Sequence, residues 1–423
     1  MPEDIWEWPD EGSEAEIPHL FPNIEYLEWN TKEGRLFPQY RLFVGPRLTT
    51  LNLGVCQSVV HLSLLPGLAT QCPRLQEVTI ECSEFDLTPQ RHAFSFITRL
   101  WKELRHLEVA CLDGSSLDHL SSLPSLECLI LSSQTPWTFA IIPARTEAEE
   151  CHDPMDNMSI NVTDTHAVSE VLSRFQTRPL HALEIRLPRD TPAAAFLECC
   201  SAVVGQRRDH PPSSLTIQCK AFTANGNTVA DAAQITTYQV AVTLLSPLFI
   251  FENLTCVELT APVGFDFDND SIASLACAWP RIQHLELVSS MFQNIPSRAT
   301  LLALVAFAKH CRSLRLLKLS LNAKVVPTWQ TLASSPDAPR PQQRVLSSLY
   351  VRDSPVGSPL AVAVFLSSLF PKLRHISTSS QGILQTEQVE QVDPLNSQWK
   401  AVEKALPLLG VARAEERYWN SSS

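Results

Sequence analysis

The chain has 423 residues, a formal net charge of −12 and only 12 glycines. Its two closest glycines, Gly45 and Gly54, are nine positions apart, so neither a GxGxxG nucleotide loop nor a P-loop occurs in it. The excess of acidic residues argues against nucleic acid as the main partner, because phosphate binding needs a basic face.

Residues 1–20 are predicted to form an acidic N-terminal arm or an incomplete edge unit. The first 16 residues carry seven acidic side chains and no basic one, so they lack the positive and apolar regions of a signal peptide. No apolar run in the chain reaches the length of about 18 residues that a membrane-spanning helix needs. These features predict a cytoplasmic or nuclear protein without a membrane partner.

A short pattern recurs from residue 21 to residue 376. It consists of an apolar residue, two variable positions, an apolar residue, one variable position and a third apolar residue, and a proline or cysteine usually stands shortly before it. Its alternating second half is typical of a half-buried strand. The middle apolar residues of the copies are Leu27, Leu51, Val78, Leu107, Leu129, Leu183, Val257, Leu285, Leu317, Leu349 and Ile376.

Two intervals between copies are unusually long. Leu129 and Leu183 are separated by about two ordinary periods, which predicts a repeat with a lost or inserted strand in residues 140–178. The longer interval up to Val257 contains a degenerate copy at Pro211–Ile217. Irregular loops are predicted near residues 140–165 and 334–343.

Helical patterns lie between the strand patterns. Apolar residues share one helix face in residues 88–101, 164–175, 298–311 and 359–370. A strand followed by a helix, repeated at this period, is typical of leucine-rich repeats. The predicted fold class is therefore an α/β leucine-rich-repeat solenoid over residues 21–390, curved, with strands on its concave side and helices on its convex side; an irregular α/β fold is the alternative.

The C-terminal region is predicted to cap this array. Asp393 and Pro394 form a helix-start signal, and apolar residues follow at helical spacing. We expect a capping helix over residues 391–412, which would cover the last repeat, and a tail over residues 413–423.

Three repeats resemble those of fungal F-box/leucine-rich-repeat proteins. They read Cys72-Pro-Arg-Leu-Gln-Glu-Val-Thr-Ile80, Trp279-Pro-Arg-Ile-Gln-His-Leu-Glu-Leu287 and Phe370-Pro-Lys-Leu-Arg-His-Ile376. The resemblance covers about residues 20–409, and it implies the substrate-recruiting part of a Skp–cullin–F-box ubiquitin ligase. Residues 1–20 contain no Leu-Pro-x-Glu start and are too few for a three-helix F-box, so a Skp adaptor is expected to bind only where an F-box is supplied. The alternative is a stand-alone scaffold unrelated to ubiquitin.

Catalytic and metal-binding motifs are not evident in the sequence. There is no GxSxG or HExxH motif, and the 12 histidines show no metal-ligand spacing. The acidic run at residues 266–270 is interpreted as a loop that caps a helix, and the polar cluster at residues 150–153 as loop polarity. We therefore predict a protein that is not an enzyme and that has no cofactor and no metal.

Variable positions within the repeated strands are the candidates for partner binding. On the polar face of a leucine-rich repeat they would line the concave surface, where glutamates recur beside histidine and basic residues. This pattern predicts a groove for a protein partner of basic character; the alternative is that these side chains only solvate the face and pair across strands. The candidate residues are Glu28, Glu108, Glu184, Glu258, Glu286, His106, His284, Arg315, Lys318 and Tyr350.

Overall fold

The computed structural model describes twelve stretches of the chain, which form two units. The units comprise residues 1–126 and 127–423. The described stretches are residues 21–30, 34–56, 63–82, 87–132, 154–161, 165–188, 191–219, 232–290, 297–328, 341–352, 354–378 and 394–421. The predicted N-terminal arm and most of the predicted loop at 334–343 lie outside them.

The described part of the first unit contains four strands in one parallel sheet, with helices between them. Its strands are β1 (Tyr26–Trp29), β2 (Thr50–Cys56), β3 (Glu77–Cys82) and β4 (His106–Val109). Its helices are α1 (Pro66–Gln71), α2 (Leu87–Thr98) and α3 (Gly114–Ser121), with a 3₁₀ helix at Gly34–Leu42. The middle apolar residues of the sequence pattern, Leu27, Leu51, Val78 and Leu107, pair with one another along the sheet and are buried.

Among its described residues, the second unit has nine strands in one parallel sheet and a separate pair of short strands. The nine are β5 (Cys128–Ser132), β6 (Met155–Asn161), β7 (Leu180–Leu187), β8 (Ser214–Cys219), β10 (Cys256–Ala261), β12 (His284–Ser289), β13 (Leu316–Lys318), β14 (Ser348–Tyr350) and β15 (His375–Ser377). The short pair is β9 (Val240–Ala241) and β11 (Phe265–Asp266).

Helices connect these strands. They are α4 (Thr165–Arg174), α5 (Ala193–Arg207), α6 (Ala232–Tyr238), α7 (Val242–Leu245), α8 (Asn269–Ala278), α9 (Leu301–His310), α10 (Pro359–Leu369) and α11 (Pro394–Ser421), with a 3₁₀ helix at Ser246–Ile250. No helix in the described stretches is long and apolar enough to cross a bilayer.

A repeated backbone contact fixes the strand register. The amides of Gln283 and His284 both donate to the carbonyl of Thr255, and those of Arg315 and Leu316 both donate to the carbonyl of Gln283. Equivalent double contacts recur at the start of β2, β3 and β4 in the first unit. Each repeat is therefore set against the preceding one in the same way, as expected of an array whose units bury their apolar faces by stacking.

Together, the strand-then-helix repeats, the parallel sheets and the buried register of leucines confirm the leucine-rich-repeat solenoid fold. Strands alternate buried and partly exposed residues, as β10 does with buried Val257 and Leu259 beside partly exposed Glu258. The buried side chains face the helices, which leaves the other sheet face polar.

Two sequence expectations differ from the structure. The predicted irregular loop near residues 140–165 contains strand β6, whose Met158 pairs with Leu129 on one side and Leu183 on the other. Its polar sequence, Met-Asp-Asn-Met-Ser-Ile-Asn, weakens the pattern although Met158 and Ile160 are fully buried. The C-terminal helix extends to Ser421, beyond the predicted boundary at residue 412, because residues 411–421 contain neither proline nor glycine.

The C-terminal helix covers the last strand of the second unit. Its Trp399 and Val402 are buried, and the indole of Trp399 donates to the carbonyl of Ser354 over 2.7 Å. The carboxylate of Glu403 accepts from the amide of Ile376 in β15 over 2.9 Å. The Glu403 side chain therefore accepts the hydrogen bond that this amide of the edge strand would otherwise donate to a further repeat.

Candidate functional site

The partly exposed sheet face of the second unit carries one continuous row of in-register side chains. We call it the central polar row. Five of its members are predicted site residues, namely Glu184, Glu258, Glu286, Lys318 and Tyr350. The whole row is Ser159, Glu184, Thr216, Glu258, Glu286, Lys318, Tyr350 and Ser377.

The three carboxylates of this row differ in how closely cations approach them. Glu184 pairs with Arg186, whose Nε lies 2.7 Å from Oε1. Glu286 accepts from Nζ of Lys318 over 3.0 Å and pairs with Nε2 of His284 over 2.9 Å. Among the described residues, the nearest cationic group to Glu258 is His284, at 4.0 Å. Glu258 is therefore the least compensated carboxylate of the row.

His284 lies between two carboxylates. Its hydrogen bond to Glu286 raises the pKa of the imidazole above its ordinary value, partial burial opposes that shift, and the charges of Glu286 and Glu258 add to it. The imidazole is accordingly held in its charged form over a wider pH range than a free histidine.

Toward its C-terminal strands, the row contains the aromatic residue Tyr350. Nζ of Lys318 lies 6.0 Å from the ring centroid of Tyr350, at the outer limit of a cation–π contact. The Tyr350 ring packs edge-on against His375 with centroids 5.7 Å apart, and Nδ1 of His375 lies 3.1 Å from Glu403. This chain of contacts joins the row to the C-terminal helix.

Other predicted site residues lie apart from this row. In the first unit, Glu28 and Glu108 occupy the equivalent row on β1 and β4, and Glu28 accepts from the hydroxyl of Tyr26 over 2.8 Å. His106 is two positions before Glu108 on the same strand. In the second unit, Arg315 precedes β13 and lies outside the central polar row.

Sequence reasoning missed four members of this face, one of which is Ser377 at the end of the central polar row. Ser159 lies on the unpredicted strand β6, and its hydroxyl donates to Glu184 over 3.1 Å. Thr216 lies on the degenerate copy, between Glu184 and Glu258 in the row. Cys256 is paired in register with His284. An alignment of the repeats on Val257 and Leu285 would have placed Cys256 and His284 together, because each directly precedes the middle apolar residue.

The acidic run at residues 266–270 serves as a helix cap. Asp268 accepts from the backbone amide of Ser271 over 2.9 Å at the start of helix α8. Arg298 bridges Asp266 and Asp268 over 3.1 Å each. These contacts are those of a helix N-cap with a surface ion pair. The cluster at residues 150–153 lies outside the described residues.

Comparisons with known proteins give only distant likenesses. No protein-family model matches the chain, and no curated protein matches it. Among solved structures, an internalin from Listeria monocytogenes is similar at 12% identity and a TM-score of 0.37, over 76% of this chain and 83% of the internalin. A yeast Rad7–Elc1 complex is similar at 12% identity and a TM-score of 0.29, over 84% of this chain and 85% of the matched chain.

Proposed function

We propose that this protein is a non-catalytic interaction module that binds a protein partner on the polar sheet face of its second unit, and that the partner presents basic side chains there. The observation that carries the proposal is the central polar row, in which Glu184, Glu258 and Glu286 recur at the same register position. We place its action in the cytoplasm or nucleus.

Electrostatic complementarity supports a basic partner. The carboxylates of Glu258 and Glu286 are partly buried on the sheet, so their field is less screened than that of fully exposed side chains. A lysine or arginine that approaches Glu258 can form an ion pair shorter than the 4.0 Å contact that His284 supplies among the described residues. Such pairs favour recognition and fast association more than raw affinity.

A capture experiment with charge reversal tests this proposal. The immobilised chain carrying Glu258→Lys and Glu286→Lys should lose most of the partner that the wild-type chain retains. The matched control carries Glu198→Lys and Glu252→Lys, which make the same change of net charge at exposed positions outside the sheet face. Equal capture by both double variants would contradict a binding site on the polar row.

The finer version of the proposal is that the array recruits substrates to a Skp–cullin–F-box ubiquitin ligase. It is supported by the resemblance of the repeats at Cys72–Ile80 and Trp279–Leu287, and it requires an F-box supplied by another chain or by further sequence. A pulldown with a Skp adaptor tests it. Co-purification of the adaptor would favour the ligase role, and its absence in the presence of a captured partner would favour a scaffold unrelated to ubiquitin.

A further inference from the structure

Two neighbouring strands of the second unit present four metal-ligating side chains on one face. Strand β10 carries Cys256 and Glu258, and strand β12 carries His284 and Glu286. Cys256 is paired in register with His284, and Glu258 with Glu286. Because side chains two positions apart point to the same face of a strand, all four project from the polar side of the sheet.

Three of these four donor atoms, those of Glu258, His284 and Glu286, converge closely enough for a single ion. Nε2 of His284 lies 2.9 Å from Oε1 of Glu286 and 4.0 Å from Oε1 of Glu258, and the three donors lie within 4.8 Å of one another. Sγ of Cys256 lies 3.9 Å from Oε1 of Glu258, but it lies outside the group of three whose donors all approach one another within 4.8 Å. A tetrahedral zinc ion with bonds of about 2.0–2.3 Å requires donors roughly 3.3–3.8 Å apart. The separations of Nε2 of His284 from the two carboxylates bracket that value, so small side-chain rotations suffice for these three residues. The side chain of Cys256 would have to turn further to supply a fourth donor.

The hydrogen bond from Lys318 leaves one carboxylate oxygen of Glu286 available to bind a metal ion. Nζ of Lys318 is bound to Oε2 of Glu286 over 3.0 Å, whereas Oε1 faces His284. An ion bound through Oε1 would replace the hydrogen bond between His284 and Glu286 and keep the lysine contact. Lys318 would then orient a ligand from outside, as outer partners commonly do, while its own charge weakens binding.

We propose that Cys256, Glu258, His284 and Glu286 form a binding site for a divalent transition-metal ion of the zinc type. The donor set carries this assignment: imidazole and thiolate beside carboxylates suit zinc, whereas magnesium and calcium take oxygen ligands. The site goes beyond the proposed partner binding and does not depend on it. A bound ion would offset the negative charge that a basic partner would meet at Glu258 and Glu286.

Titration of the full chain with metal tests the site. The purified protein is stripped with a chelator, dialysed, and titrated with Zn²⁺ by calorimetry, and in parallel with Co²⁺ by absorption spectroscopy. We expect saturable Zn²⁺ binding that includes one His284-dependent equivalent, visible bands of tetrahedral Co²⁺, and a near-ultraviolet charge-transfer band from the Cys256 thiolate. Failure of the wild-type chain to bind either ion would overturn the proposal.

Ligand variants are compared with matched controls. His284→Gln and the isosteric Glu258→Gln should weaken binding by more than the roughly 10- to 100-fold that loss of an outer-shell partner costs, and Cys256→Ser should remove the charge-transfer band. The controls are His106→Gln, which alters the same His-x-Glu spacing on β4, and Cys277→Ser, which alters an exposed thiol.

The site is ruled out if His284→Gln and Glu258→Gln bind zinc as the wild type does, or if the controls lose it equally. Circular dichroism melts establish that each variant is folded, and two independent ligand substitutions keep the test decisive if one of them unfolds the chain. A ligand variant that loses zinc binding but still captures the protein partner would show that the metal site and the partner-binding function are separate properties of the row.

Discussion

Glu258 and Glu286 face each other on adjacent strands, yet their carboxyl pKa values move in opposite directions. Burial raises the pKa of Glu258, and the charge of Glu286 raises it further. Burial acts the same way on Glu286, but hydrogen bonds from His284 and Lys318 overcome it and hold the pKa of Glu286 below its ordinary value. Equivalent positions in the repeat have thus acquired different electrostatic roles.

Neutralising these two glutamates should affect stability in opposite senses. In metal-free protein at neutral pH, Glu258→Gln removes a partly buried charge that has a cation no closer than His284 at 4.0 Å among the described residues. The free energy of unfolding should therefore rise by up to about 0.5 kcal/mol. Glu286→Gln leaves Lys318 and His284 without the carboxylate that they contact, so the free energy of unfolding should fall by about 0.5–1 kcal/mol. Urea unfolding measures both. Changes of the same sign in the two variants would contradict the described pairing.

His284 should titrate above the ordinary histidine value of 6.5 in metal-free protein, because its pKa is raised by Glu286. A histidine whose pKa is higher in the folded than in the unfolded chain contributes stability that is fully present below 6.5 and is lost as pH rises through the folded value. Nuclear magnetic resonance of the imidazole measures the pKa directly. In Glu286→Gln it should fall; an unchanged value would show that the hydrogen bond is not formed in solution.

The repeat fold could be predicted from sequence because each copy carries its own local signal. The positions of Val257, Leu285, Leu317 and Leu349 in the pattern are those that pair in the sheet. Stacked repeats convert a periodic sequence into a regular register, so the strand positions follow without knowledge of distant contacts. Strand β6 was missed because polar residues surround Met158 and Ile160, and only stacking between β5 and β7 makes that segment a strand.

The candidate site was predictable in its residue types but not in its pairing. Glu258, His284, Glu286 and Lys318 were identified from their position in the repeat. The side-chain rotamers decide which carboxylate is paired with a cation. One example is the rotamer of Lys318, which brings its Nζ to Glu286 on the neighbouring strand. Sequence periodicity carries no information about these rotamers. The proposed metal site was missed because its ligands come from two strands whose shared register is a property of the sheet.

A buried arginine should be important for the stability of the second unit. Arg207 is 1% exposed, and its guanidinium donates to the carbonyls of Phe175 and Arg178, at 2.6 and 2.8 Å, in the turn that follows helix α4. Burial lowers its pKa to about 10. Arg207→Met removes two hydrogen bonds from a charged group to backbone carbonyls and should cost about 2–4 kcal/mol. The matched control is Arg208→Met at the exposed neighbouring position, which should change stability by less than about 0.5 kcal/mol. Equal effects in thermal or urea unfolding would contradict the capping role.

Replacement of two glycines by alanine should change the free energy of unfolding in opposite directions. A Cβ at Gly357 would collide with the carbonyl oxygen of Lys324, and that backbone cannot retreat easily because Gly357 itself donates to the carbonyl of Ala323. We expect Gly357→Ala to lower the free energy of unfolding by about 1–3 kcal/mol. Gly205 lies in helix α5 with open space around its Cβ position, so Gly205→Ala should raise it by about 0.5–1 kcal/mol. Denaturant unfolding of the two variants measures both changes. If Gly357→Ala stabilised the protein, the close approach of Gly357 to the backbone of Lys324 would be disproved.

Site-specific photo-crosslinking tests the central claim most directly. A photoreactive amino acid is placed at Thr216, between Glu184 and Glu258 on the polar row, and in a second variant at the exposed Ser201 on helix α5. Each variant is irradiated with the partner that the wild-type chain captures. A partner that binds the sheet face should crosslink at Thr216 and not at Ser201. Crosslinking at Ser201 alone would place the partner on the helical side and contradict binding through the central polar row.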